Sequence, residues 1–168
     1  MGTTSVCAIV KDDDVHLVNL GDSRAYVISN DEIRRVTKDH SFVQQLVDQG
    51  TITEEETRTH PQKNIISKAI GINDSIESDT MRLKLAADEN LLLCCDGVIA
   101  HLTDEDIHKT IIDSPDPDTA CQNIVNLANE RGGSDNISLI ILSSEDNSIS
   151  KQIETESSND DEKTKIIG

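Results

Sequence analysis

After Asn90, residues 91–95 are apolar without a break, and the run stops at Asp96-Gly97. A run this short reads as a strand over 90–95, covered on both faces. Such a strand forces a layered fold, because one sheet must be buried on two sides at once. The cover must be aliphatic. The 168 residues include one Phe, one Tyr and no Trp, against many Ile, Leu and Val.

The remaining elements follow from local pattern. Residues 4–10, 15–20, 25–28 and 33–36 read as short strands, with polar turns at Lys11-Asp12-Asp13-Asp14 and Asn30-Asp31. Their spacing predicts an antiparallel meander. Ser41 with Gln44 has capping-box spacing and opens a helix whose apolar stripe (Phe42, Val43, Leu46, Val47) ends at Gly50. Thr53 with Glu56 opens a second, short helix, and His60-Pro61 breaks the pattern. Residues 78–85 alternate around Met81, Leu83 and Leu85, as a half-buried strand does. Thr103 with Asp106 starts a helix to about Ile112. Asp116 as N-cap, with Pro117 at the first helical position, starts another that runs through Ala128 and stops at Gly132-Gly133. Residues 137–142 form a last strand. The sum is an α+β domain over 1–144, mostly antiparallel, with helices outside the sheet. Residues 145–168 are polar and acidic and read as a disordered tail or linker.

Charge and composition exclude several functions. A net charge of -17 repels phosphate backbones, and two aromatic residues offer no stacking platform, so nucleic acid is not a partner. The same charge attracts metal cations and basic segments. Cys7, Cys94, Cys95 and Cys121 form no CxxC pair, and Cys94 and Cys95 read as buried thiols in a reducing, cytoplasmic setting. No apolar run approaches the roughly 18 residues of a membrane span, so a membrane partner is not indicated. A Cys-x5-Arg phosphatase signature, GxSxG and GxxxxGK[ST] are all absent.

Three aspartates share one context. Asp22 lies in Gly21-Asp22-Ser23-Arg24, Asp96 follows the apolar strand, and Asp135 lies in Gly133-Ser134-Asp135-Asn136 before the last strand. Each abuts a strand end, where a rigid sheet can aim side chains at one point. Each is also an ordinary turn position. Gathered together, such carboxylates need neutralising by hard divalent cations, and two ions can clamp a phosphoryl group. Among the histidines, His16 and His108 read as structural, and His40 reads as an N-terminal capping element before the first helix.

Read in order, six segments resemble the type 2C class of metal-dependent protein serine/threonine phosphatases, especially its bacterial members. They are Gly2-Thr3-Thr4, Gly21-Asp22-Ser23-Arg24, Asp39-His40-Ser41, His60-Pro61-Gln62-Lys63-Asn64 through Gly71, Leu92-Leu93-Cys94-Cys95-Asp96-Gly97, and Gly132-Gly133-Ser134-Asp135-Asn136-Ile137-Ser138. The likeness covers about residues 2–143. It implies a central β-sandwich flanked by helices, with metals at one edge. It implies two Mg²⁺ or Mn²⁺ ions in the complete domain, with a weaker third. On this resemblance Asp96 and Asp135 hold the second metal, and Asp22 with Asp96 the third. Arg24 is a structural partner nearby, Asp39 and His40 support the base of a flap over 44–60, and Gly97 and Asn136 lie near the site. No catalytic residue beyond the metal ligands is indicated.

The resemblance also implies hydrolysis of phosphoserine and phosphothreonine on a protein substrate, in a pathway with a cognate Ser/Thr kinase. Cys95 stands where the family usually has serine, and Lys63 where it usually has arginine. The family's RxxNED and DGMGGH segments have no counterpart in residues 1–168. They carry the carboxylate that bridges the metals, so this chain alone is expected to be inactive. The alternative is a non-catalytic, partner-binding module with the same fold.

Overall fold

The computed structural model describes residues 2–143 apart from 73, 74 and 76. The expected tail at 145–168 therefore lies outside the described residues. Seven strands and five helices follow in order: β1 (Ser5–Lys11), β2 (Asp14–Leu20), β3 (Arg24–Ile28), β4 (Ile33–Arg35), α1 (Phe42–Asp48), α2 (Glu54–Thr57), β5 (Asp79–Lys84), β6 (Asn90–Cys94), α3 (Asp96–Ile99), α4 (Asp104–Ile112), α5 (Pro117–Glu130) and β7 (Leu139–Ser143).

The strands form two antiparallel sheets, ordered β1-β2-β5 and β4-β3-β6-β7. The first four strands are thus not one meander. β1–β2 and β3–β4 are separate hairpins, and the Gly21-Asp22-Ser23 link carries the chain from one sheet to the other. Two contacts hold that link open. The Gly21 N–H donates to His40 Nδ1 at 3.0 Å, and the His40 N–H donates to Gly21 O at 2.9 Å. Gly21 has φ +113°, and a Cβ there would come within 2.3 Å of Thr4 Cγ2. Only glycine fits this crossing.

The second sheet is covered on both faces, as the run at 91–95 demands. Ala25, Val27 and Leu91 face Val15, Leu17 and Leu85 of the first-sheet side, forming the sandwich core. Tyr26, Ile28, Leu92 and Cys94 point the other way, against Ile107, Ile111, Ala120, Ile124 and Ala128 of α4 and α5. Adjacent residues of β3 and β6 therefore serve two different cores.

Caps set the helix ends. Thr53–Glu56 and Thr103–Asp106 both make reciprocal capping boxes. Asp116 accepts from the Thr119 N–H, with Pro117 next. Ser41 accepts from the Gln44 N–H, but the return bond is missing. The Gln44 amide is engaged elsewhere, accepting from Arg35 at 3.1 Å and donating to Asp48 at 3.4 Å. His40 is not the cap, since its ring reaches back to Gly21 instead. Two further expectations are corrected. Cys95 is only half-buried, because β6 ends at Cys94. The last strand begins at Leu139, leaving Ile137 and Ser138 as extended loop. Among the described residues, no helix is long and apolar enough to cross a membrane.

Leu92 is 0% exposed between β3, β7 and the helices. Leu92→Ala should destabilise the fold by about 2–5 kcal/mol. Ile140→Ala, at a residue 65% exposed, should cost less than about 0.5 kcal/mol. Urea unfolding followed by circular dichroism measures both.

Candidate metal-binding groove

Strand register, more than any local signal, brings the candidate carboxylates to one place. Arg24 of β3 pairs with Cys94 of β6. The pairing ends there, which places the link carrying Asp22 by the junction of β6 with α3, where Asp96 opens the helix. Cys94 in turn pairs with Leu139 of β7, so the segment carrying Asp135 arrives at the same sheet end. Asp22, Asp96 and Asp135 all line a single open groove of about 830 Å³, together with Arg24 and Asp39. The rim also includes Glu54 of α2. Among the described residues, no three His, Cys, Asp or Glu side chains converge closely enough to hold an ion. The three aspartates share a groove without forming a tight cluster.

The electrostatics point to unrelieved negative charge. Partial burial raises the Asp22 carboxyl above the usual carboxylate range, and the Asp96 charge raises it further. Asp96 and Asp135 are exposed. A hard cation among oxygen donors would relieve this repulsion, so the donor chemistry fits Mg²⁺ or Mn²⁺.

A largely buried ion pair lines the same groove. Arg24 Nε donates to Asp39 Oδ1 at 3.0 Å and Nη2 to Oδ2 at 2.7 Å, with side chains only 14% and 9% exposed. The third arm, Nη1, donates to Tyr26 Oη at 3.1 Å, and Tyr26 Oη donates to Asp104 Oδ1 at 3.2 Å. The forked geometry keeps the guanidinium firmly charged. Arg24 is thus occupied with holding the groove floor. His40 bridges the Gly21 turn and β5, its Nε2 lying 3.1 Å from Asp79 Oδ2 without hydrogen-bond alignment.

Gly97 and Asn136 meet directly. A Cβ on Gly97 would fall 2.2 Å from Asn136 O. This close approach is why glycine follows Asp96. The flap segment is tied down at two points. Arg35 donates to Glu54 at 2.8 Å, and Arg58 Nη2 donates to Ile99 O at 3.2 Å and Leu102 O at 2.9 Å.

Sequence reasoning missed several of these residues. Asp104, Arg58 and Glu54 carry no local signal, since their roles arise from contacts over long sequence separations. His101 was also missed. Its Nε2 accepts the Ser134 N–H at 3.2 Å and so steadies the loop before Asp135. The same Nε2 lies 3.1 Å from Ser134 Oγ. The Cys94 thiol, by contrast, is pushed up to about 12 by burial and is chemically quiet.

Comparison with known proteins agrees with this architecture. The family model for protein phosphatase 2C matches residues 1–46. The serine/threonine phosphatase stp of Listeria innocua is 34% identical over 142 residues, covering 84% of this chain and 56% of that protein. The crystal structure of serine/threonine phosphatase Stp1 from Staphylococcus aureus superposes with a TM-score of 0.82 at 39% identity, covering 84% of this chain and 56% of that one. The chain belongs to the protein phosphatase 2C family. It spans about half the length of the curated relatives first matched. The catalytic domain of the phosphatase PstP, crystallised with two manganese ions, also superposes, with a TM-score of 0.75 at 32% identity over 84% of this chain and 58% of that one. The groove of this protein phosphatase 2C chain is lined by all three aspartates, which do not form a tight cluster.

If Asp96 raises the Asp22 carboxyl, neutralising Asp96 must ease ionisation of Asp22. Asp96→Asn should lower the Asp22 pKa towards the ordinary value of about 3.9. A carboxyl-carbon NMR titration reads the shift. An unchanged Asp22 pKa would show that the Asp96 charge does not contribute to it.

Proposed function

We propose that this chain supplies part of the active site of a metal-dependent protein serine/threonine phosphatase, with Asp22, Asp96 and Asp135 as metal ligands. The observation that carries the reading is the register, which delivers all three carboxylates to one groove. The divalent ions of the homologous PstP structure support it. When bound, Mg²⁺ or Mn²⁺ would supply charge neutralisation and activation of water for phosphomonoester hydrolysis. Overall, the water oxygen bonds to phosphorus, the bond from phosphorus to the serine or threonine oxygen breaks, and the alcohol oxygen leaves with a proton.

The chain's own residues do the positioning. Asp96 and Asp135 present exposed carboxylates, and Asp22 presents a half-buried one close enough to feel the Asp96 charge. The Arg24–Asp39 pair holds the floor rigid, and α1–α2 forms the rim over which a phosphorylated protein segment would lie. A cognate Ser/Thr kinase pathway would provide that substrate. With its ligands divided across the groove, the 168-residue chain alone should bind metal weakly and turn over little.

Titration calorimetry with Mn²⁺ tests the ligands. The chain should bind in the millimolar range or tighter, and Asp96→Asn and Asp135→Asn should each weaken binding by about tenfold or more. Absence of binding at millimolar Mn²⁺ would overturn the metal reading in favour of a partner-binding module. Turnover of p-nitrophenyl phosphate with Mn²⁺ tests completeness. Robust hydrolysis abolished by Asp96→Asn would show that the chain needs no further segment.

A further inference from the structure

Asp96 and Asp135 come from segments about forty residues apart, so their spacing depends on what ties those segments together. Their neighbours set it. Cys95, just before Asp96, donates its backbone N–H to Ser138 O at 3.1 Å. Its thiol then makes two more bonds to the same loop. Sγ accepts the Ser138 N–H at 3.2 Å and donates to Asn136 O at 3.2 Å. β7 begins only at Leu139, so the thiol takes an N–H that lies just outside the strand ladder.

Asn136 is the residue immediately after Asp135, and its carbonyl is held twice. The Cys95 thiol reaches it from one side of Asp96. From the other side the bare Gly97 Cα lies so near that a Cβ would sit 2.2 Å from Asn136 O. The two residues flanking Asp96 thus grip the residue flanking Asp135. Asp96 and Asp135 themselves are left exposed to the groove.

We propose that Cys95 is a positioning residue of the groove, its thiol fixing Asp96 relative to Asp135. This role rests on the reading of those two aspartates as metal ligands. A small donor-and-acceptor group is what the position requires, because one atom must both accept an N–H and donate to a carbonyl. Cys95→Ser keeps both capacities. Cys95→Ala keeps neither, and leaves Ser138 N–H and Asn136 O without this partner.

The test compares the parent chain with Cys95→Ser and Cys95→Ala by two readouts, after circular dichroism has shown that both variants fold. Amide hydrogen exchange at Ser138 needs no metal. Cys95→Ala should accelerate it by about tenfold, and Cys95→Ser should leave it near the parent rate. Manganese affinity, read by electron paramagnetic resonance of free Mn²⁺, should fall by about tenfold in Cys95→Ala and be restored in Cys95→Ser. Parent-like exchange and affinity in Cys95→Ala would overturn the proposal. So would a Cys95→Ser variant as impaired as Cys95→Ala, since the volume of sulfur and not its hydrogen bonds would then be responsible. If exchange responds as expected but the parent binds no Mn²⁺, the metal reading itself falls, and the thiol contact is left as a structural clasp only.

Discussion

β6 lies between β3 and β7, and its residues from Leu91 to Cys94 serve both cores at once. Leu91 is buried in the sandwich and Leu92 beneath the helices, so a one-residue slip would exchange the two sets and leave neither core filled. The register is therefore fixed by packing on both faces. Through that register the three aspartates are carried to one sheet end. The apolar run that sets the layered fold also determines where the carboxylates lie.

The groove is built against its own charge. Asp22 and Asp96 repel each other, and the nearest strong cation, Arg24, is committed to Asp39. Burying that ion pair is costly unless its donors are used, and here Arg24 also reaches Tyr26. The result is a floor whose cation offsets the Asp22 charge only in part. A site that keeps its own cation occupied leaves room for one from solution.

Much of this was legible from the sequence. All seven strands appear within one or two residues of their expected bounds, because alternation and turn residues are local signals. The capping residues Thr53, Thr103 and Asp116 were legible for the same reason. The switch of sheets at Gly21-Asp22-Ser23 was not. A three-residue link between strands looks like a hairpin turn until the partners of each strand are known. α3 is four residues long, too short to show a helical period. Cys95 reads as a core residue because it continues an apolar run, and only the strand's end at Cys94 turns it out. The aspartates could be named from their turns and from family likeness, but their sharing of one groove depends on strand pairings between segments far apart in the chain. Residues such as Arg58 and His101 carry no sequence signal, since they act through backbone atoms of distant loops.

Arg58 illustrates a broader consequence. It anchors the α2 segment by donating to the main-chain oxygens of Ile99 and Leu102, not to any side chain there. Every residue type presents the same carbonyl. The sequence around the end of α3 can therefore drift through generations of substitution while the latch between rim and groove wall is inherited unchanged. Diversification of the groove's lining and retention of its closure are separable here, because one is written in side chains and the other in backbone.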